Sequence, residues 1–456
     1  MNARKSLTGR ELLLMLVAFA GIFVYGLLSA LPGSVLPTLE RNQYLPDDSA
    51  VATFLLINAA GAVLAYLLSG PVIDRVGKKF ALAGGAALVV VSMAGLALTV
   101  SEVSPGAALA LVFGCSLVLG FGANAIVAAG HALVADVAAD WRNSALNLLD
   151  ICFGLGLAAL PLVVQRIQQR GGLGLVFWSL GGISVALLVL ILAPRFPRPA
   201  HPEASALSGA RELFGKPSFW LLAIALFMYV GTEVSVGKWV VTFMERDARL
   251  LAGHGLDPAQ LRALATAAPD ALSRFFETEP AGRFVADYAL TTLSLFAFAL
   301  LAGRLVSSLL LGRARVNSFV LLTAGSLLTT AGLVIAFTAG SPGVVRAGLL
   351  AAGFGMGPIF PTSVGLASMM TPRTAGTAIS LMMGVGFAGL LLIPPAVGYI
   401  SAAAGGEAGD VRTGLIAVIA ASAVMLLLHI VLTLRKRKLA SASEDELEAK
   451  AAAAAE

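Results

Sequence analysis

The residues in this chain that could do chemistry are few, and they stand in its most apolar stretches. GTEVSVGKWVV, residues 231–241, places Glu233 and Lys238 inside a run that otherwise reads as a buried helix, with LLAIALFMYV before it and VTFM after it. Asp150, His131 and Arg304 stand in similar runs. Insertion scales put an ionised Asp, Lys or Arg at the centre of a spanning helix at about 2.5–3.5 kcal/mol unfavourable, so each such group should face protein or water and have a partner or a task.

Binding, proton exchange and ion pairing are the chemistry these types support. Glu233 follows Thr232 and precedes Ser235 and Gly237 near the middle of its run, which suits a carboxylate lining a wet cavity. Lys238 lies about 140° further around the helix, a poor partner for Glu233, and nearer the helix end, where its stem can snorkel to water. Asp150 has two candidate partners at similar depth. With His131 it forms a protonatable pair of the kind relays use; with Arg304 it forms an ion pair that closes one gate and breaks when the gate opens. Asn124, Asn147, Tyr25 and Tyr229 complete the candidate contacts for a solute, with Asn58, Thr362, Ser363 and Phe360 as further polar or aromatic groups. Trp239 reads either as a ring face for a solute or as an interfacial anchor.

Enzymatic chemistry has little footing. GVGFAG, residues 384–389, has the spacing of a dinucleotide loop but follows no strand and lies within an apolar span, so it reads as helix packing. No HExxH or GxSxG occurs, and His131 with Asp136 lacks a nucleophile or further metal ligand at useful spacing. The chain is read as a non-enzyme that needs no cofactor or metal. Cys115 and Cys152 fall in apolar runs and read as small core residues.

The elements that must position these groups are membrane spans. Of 456 residues, 58% are hydrophobic and 12% charged, against about a quarter charged in soluble proteins. Runs long enough to cross a hydrocarbon core of about 30 Å recur throughout, without the two-residue alternation of barrel strands. Spans are expected near 11–37, 51–73, 80–100, 106–135, 145–165, 173–194, 217–244, 288–311, 317–339, 344–370, 378–402 and 413–434. This is an all-α membrane protein of about twelve transmembrane helices. The basic start, MNARKSLTGR, precedes a span and not a cleavable signal. The net charge of +5 is spread over loops, which speaks against nucleic acid as a partner.

Arg4, Lys5, Arg10, Arg75, Lys78, Lys79, Arg313, Arg315, Arg373 and the basic run 435–438 fall on one side, placing both termini in the cytoplasm. Arg166 and Arg170 violate the pattern. The Pro-rich, basic segment 195–216 divides the spans six and six, giving units at 1–194 and 217–438. Residues 245–287 form an outer insert, with Asp257-Pro258 as a helix start, and 439–456 a low-complexity tail, disordered or loosely helical.

The two units repeat each other. FVYGLLSALPGSVLPT in the first span aligns without gaps to FMYVGTEVSVGKWVVT in the seventh, pairing Phe23 with Phe227, Tyr25 with Tyr229 and Gly33 with Gly237. GFGANAIVAAGHAL in the fourth aligns to GFGMGPIFPTSVGL in the tenth. Parallel duplication implies two pseudo-symmetric six-helix bundles related by an axis along the membrane normal, with a site between them.

Between the second and third spans stands GPVIDRVGKK, residues 70–79. Its Gly70, Asp74, Arg75, Gly77, Lys78 and Lys79 resemble the signature loop of the major facilitator superfamily at each defining position. Gly303-Arg304 through Arg315 resembles a degraded second copy. In that family the loop is a conformational latch, so the resemblance implies gating roles for these six residues; Arg304 joins them through its candidate ion pair with Asp150. YVGTEVSVGKWVV, GFGMGPIFPT and NLLDICFGLG also resemble the fucose and glucose/galactose permeases. The carboxylates which those proton-coupled permeases have in the first and fourth spans are absent here, so their coupling residues do not carry over.

The reading is a secondary transporter of a small organic solute, with sugar first, working by alternating access as a monomer in the bacterial inner membrane. Its partners are the solute, the lipid bilayer, and H+ or Na+ where transport is coupled. Proton-coupled export of amphipathic compounds and a non-transporting sensor on the same fold are the alternatives.

Overall fold

The computed structural model describes residues 8–138, 142–196, 215–267, 271–312, 316–370, 375–404 and 410–453. Every regular element among them is helical. The first four spans are Gly9–Arg41, Asp48–Arg75, Lys78–Glu102 and Pro105–Val137. The fifth and sixth share Arg142–Leu192, and the seventh to ninth are Pro217–Arg246, Pro280–Gly312 and Ser318–Thr338. The tenth comprises Pro342–Met356 and Ile359–Met370, the eleventh Ala375–Ala388 and Ile393–Ala404, and the twelfth opens Ile416–Ala453. Residues 139–141 between the fourth and fifth spans, the linker residues 197–214, and Arg313, Arg315 and Arg373 lie outside the described residues.

Eleven helices among the described residues are long and apolar enough to cross a membrane, and one of them is two crossings. At 1.5 Å per residue, Arg142–Leu192 would reach about 75 Å if straight, far more than a bilayer needs. Gly171 (φ −160°, ψ 27°) and Gly172 (φ 65°, ψ −167°) break it, and the positive φ of Gly172 suits a residue without a Cβ. The chain reverses there. Gln168 reaches Thr38 at the end of the first span, Gly174 packs on Ser101 at the end of the third, and the Pro194 carbonyl accepts from Lys79 at the third span's start. Arg166 and Arg170 therefore sit beside this turn, on the face opposite the chain ends. That face is called distal below, and the other the terminal face.

Local chemistry sets the helix ends. Thr8 and Glu11 form a reciprocal capping box, Asp47 and Asn317 cap the second and ninth spans, and Pro105, Pro217 and Pro342 occupy first turns, where a missing N–H costs nothing. The tenth span is interrupted at Gly357-Pro358 and the eleventh at residues 389–392, ahead of Pro394 and Pro395, departures from the continuous spans expected there.

Small residues let the helices touch, and they do so twice over. A Cβ on Gly85 or Gly122 would stand 2.8 Å from the other's carbonyl; Gly325 and Gly355 repeat the arrangement at 2.6 Å between the ninth and tenth spans. Gly156 abuts the Phe23 carbonyl, and Gly389 abuts that of Phe227, the repeat partner of Phe23. Gly33 meets the carbonyl of Gly237, the very residue with which it aligns. Equivalent residues touch each other only near a two-fold axis, so this contact marks the axis between the bundles.

The outer insert is helical at Ala248–Gly253, Pro258–Ala267 and Ala271–Thr278, with Asp257 accepting from the Ala259 amide at 2.9 Å. It has its own small core of Leu251, Phe276, Val285 and Ala286. His254 packs edge-on against Phe284 and Tyr288; burial, and next the Arg346 guanidinium, hold its imidazole below the usual range. The last helix, Ile416–Ala453, takes in most of the low-complexity tail.

Gly122→Leu and Gly355→Leu should each destabilise the protein by about 1–3 kcal/mol through overpacking, read as a lower melting temperature in detergent. Gly84→Leu should not, because a Cβ at that position would meet nothing within 4 Å.

Candidate functional site

Polar side chains from both bundles face one another along a seam between them. At its distal end Lys238 is 9% exposed and donates to the Ser29 carbonyl on the first span at 3.3 Å. It does not snorkel to water as its position near the helix end suggests. One turn below Ser29, Tyr25 donates to Asn124 Oδ1 at 3.4 Å, and the Asn124 amide donates to the Gly120 carbonyl at 2.8 Å. The Tyr25 ring stacks on Phe153 at 5.4 Å.

Glu233 faces this group and not lipid. It interacts electrostatically with Tyr25 across the seam and with Tyr229 and Arg304 in its own bundle. Tyr229 Oη and Arg304 Nε are buried beside it: Tyr229 interacts with both Glu233 and Arg304, yet neither of these two atoms completes a well-formed hydrogen bond among the described residues. Arg304 also feels Asp150 from the other bundle, without the two closing to an ion pair. Asp150 is nearer His131: Oδ1 stands 3.9 Å from Nε2, too far for a hydrogen bond, with both side chains about one-third exposed (34% and 32%). His131 Nδ1 lies 2.9 Å from the Val127 carbonyl and must donate to it, so the neutral ring presents the Nε2 lone pair toward Asp150. Of the two pairings open to Asp150, the structure brings together the one with His131.

Rings enclose the seam on both sides. Tyr66 of the second span stacks on Phe387 of the eleventh at 5.0 Å, and Phe387 leads to Phe360 and Tyr229 at successive centroid separations of 6.4 and 6.5 Å. Trp239 is not among them and is not an interfacial anchor. It is 0% exposed, and its indole donates to the Pro394 carbonyl at 2.9 Å, locking the seventh span to the eleventh. Asn58 likewise serves packing, donating to the Ser116 carbonyl. The side chain of Asn147 lies outside the described residues.

Ions close the distal face. The first and seventh spans both end in Glu-Arg, and the four side chains pair crosswise: Arg41 with Glu245, and Arg246 with Glu40 at 3.0 Å. Reciprocal pairing of this kind is what a two-fold interface produces. Arg246 also meets Asp48 at 2.5 Å, and Asp48, 2% exposed, accepts in turn from the Ser401 hydroxyl. Thr53 and Tyr399 bond across the seam at 3.1 Å, and the Arg41 guanidinium lies 4.7 Å over Phe276 of the insert. This closure escaped the sequence reading. The repeated Glu-Arg just beyond the aligned segments was its available signal, and the scarcity of tyrosine could have flagged Tyr66.

The terminal face differs. Lys78 pairs with Asp136, and Lys79 donates to the Leu192 and Pro194 carbonyls at 2.7 and 2.9 Å, so these links stay within the first bundle. Arg75 is exposed, and Gly77 takes a φ of 114° that favours glycine. The side chains at Gly70 and Asp74 lie outside the described residues. Arg304 stands within its span, level with the seam, and Gly303 beside it packs on the Phe354 carbonyl.

Comparison with known proteins agrees with this architecture. The chain is 24% identical over 392 residues to a TsgA homologue of Serratia proteamaculans, covering 85% of this chain and 88% of that one. The crystal structure of a D-xylose-proton symporter superposes with a TM-score of 0.69 at 14% identity, over 93% of this chain and 97% of that one. That of the nucleoside transporter NupG does so at 0.67 and 15%, over 93% and 99%. The family model described as Major Facilitator Superfamily matches residues 18–250, and with two bundles meeting at a polar seam, this chain belongs to that superfamily of membrane transporters.

Proposed function

We propose that the protein is a secondary transporter that carries a small polyhydroxylated organic solute, a sugar or a sugar-containing compound, across the bacterial inner membrane. It works as a monomer by alternating access, with its termini in the cytoplasm. The observation that carries this reading is the seam itself. Carboxylates, an amide and a guanidinium alternate with aromatic rings there, and Tyr229, Arg304 and Glu233 form a buried cluster in which Tyr229 Oη and Arg304 Nε complete no well-formed hydrogen bond among the described residues. Such groups bind hydroxyls, and the rings cover a sugar's apolar faces. The xylose-proton symporter and the nucleoside transporter that share the fold support a solute containing a sugar ring.

Glu233, Asp150, Asn124, Tyr25 and Tyr229 are the proposed solute contacts. His131 and Asp150 hold the proton in a coupled cycle, since the imidazole lone pair faces the carboxylate across a gap one proton carrier can bridge. The crosswise Glu-Arg pairs form the outer gate. Closed at that face, the structure corresponds to the cytoplasm-facing half of the cycle, while the 70–79 loop acts from the other side.

Solute counterflow in proteoliposomes tests the reading. A panel of sugars, nucleosides and amphipathic cations should yield flux for a ring-bearing polyol, and Glu233→Gln should lower it at least about tenfold, as expected for losing a charged hydrogen-bond acceptor. Asp150→Asn should flatten the pH dependence of flux. Binding of every hit that survives both substitutions unchanged would refute the assignment.

The gate has its own test. In a protein lacking Cys115 and Cys152, Thr53→Cys should react slowly with a membrane-impermeant thiol reagent added outside. Adding Asp48→Asn, which leaves part of the Arg246 charge unmatched, should accelerate labelling several-fold; equal rates would remove these pairs from the gate.

A further inference from the structure

Within the transport reading, on which this inference rests, we propose that the solute bears a carboxylate and that Lys238 receives it at the distal ceiling of the seam. The other cations at the seam each have carboxylate company: Arg41 with Glu245, Arg246 with Glu40 and Asp48, and Arg304 within the field of Glu233 and Asp150. Lys238 has none among the described residues. Its ammonium carries three donors, and the contact it makes is one long hydrogen bond to the Ser29 carbonyl. Glu233, on its own helix, points elsewhere, about 140° around the axis.

A buried ammonium with one neutral acceptor is costly, and a methionine would fill the same space without that cost. The expense is explained if the counter-charge arrives with the cargo. Lys238 lies on the face of the seventh span that meets the first, close to the Gly33–Gly237 contact and inward of the Glu-Arg pairs. When the outer gate opens, those two spans part and the ammonium becomes the first unpaired charge an entering solute meets. When the gate closes, cation and carboxylate are buried together, while the hydroxyls reach Tyr25, Asn124 and Tyr229 below. A single ammonium balances a monoanion, which favours a carboxylate over a doubly charged phosphate.

Matched pairs isolate the charge. Galacturonate against galactose, and gluconate against glucitol, are titrated calorimetrically into the purified full-length protein at pH 7 and constant ionic strength. The acid of at least one pair should bind about tenfold or more tightly than its neutral partner. Lys238→Gln should abolish that preference, and Lys238→Arg, which keeps the charge, should retain it. Equal or tighter binding of the neutral members, a preference that survives Lys238→Gln, or no binding of any member overturns the proposal. The wild-type comparison stands even where a variant folds poorly. Flux of neutral sugars without acid preference would leave the transport reading intact and sink this one; acid binding that depends on Lys238 without counterflow would do the reverse.

Discussion

A charge inside a bilayer must be matched by protein, because hydrocarbon supplies neither hydrogen bonds nor counter-ions. In this molecule the matching takes place between the two bundles. Glu233, Arg304, Asp150 and Lys238 all reach the seam from apolar helices, and the Glu-Arg pairs at its distal end join one bundle to the other. In the proposed function the seam is both the site of solute contact and the surface that must come apart for a solute to pass. On that proposal, opening the distal end would break the Glu-Arg pairs that closure restores, giving the movement two defined states and not a continuum.

The axis gives that movement its geometry. Gly33 and Gly237 touch backbone to backbone, leaving no side chains between the first and seventh spans at that level. The bundles behave as units because each is laced internally by the same glycine contacts, Gly85 with Gly122 in one and Gly325 with Gly355 in the other. Where the chain departs from this regularity, at Gly357-Pro358 and at residues 389–392, it does so in helices whose rings, Phe360 and Phe387, line the seam. Irregular backbone is tolerated at membrane depth where it lines protein and not lipid.

Much of this was legible in the residues. The apolar runs gave the span count, the aligned segments gave the duplication, and the acid in GTEVSVGKWVV marked the seam. Two side chains were misplaced for the same reason: helix position reports depth, not direction of approach. Lys238 stands near the helix end and could reach water, but the first span covers it; Trp239 stands where interfacial rings stand, but the eleventh span covers it. Tyr66 and Phe387, from spans far apart in sequence, were invisible as a pair until the bundles were docked.

Hydropathy and internal repetition, properties of the linear chain, determined that this is a two-bundle membrane protein with buried acids needing company. Each depends on local composition, and a run of apolar residues has few stable options in lipid other than a helix. Which acid meets which base depended on the rotation and spacing of helices hundreds of residues apart, and only the tertiary structure decided it. The Asp150–His131 approach, the crosswise Glu-Arg pairs and the lone ammonium of Lys238 follow from that packing, since a displacement of a few ångströms separates an ion pair from two unmatched charges.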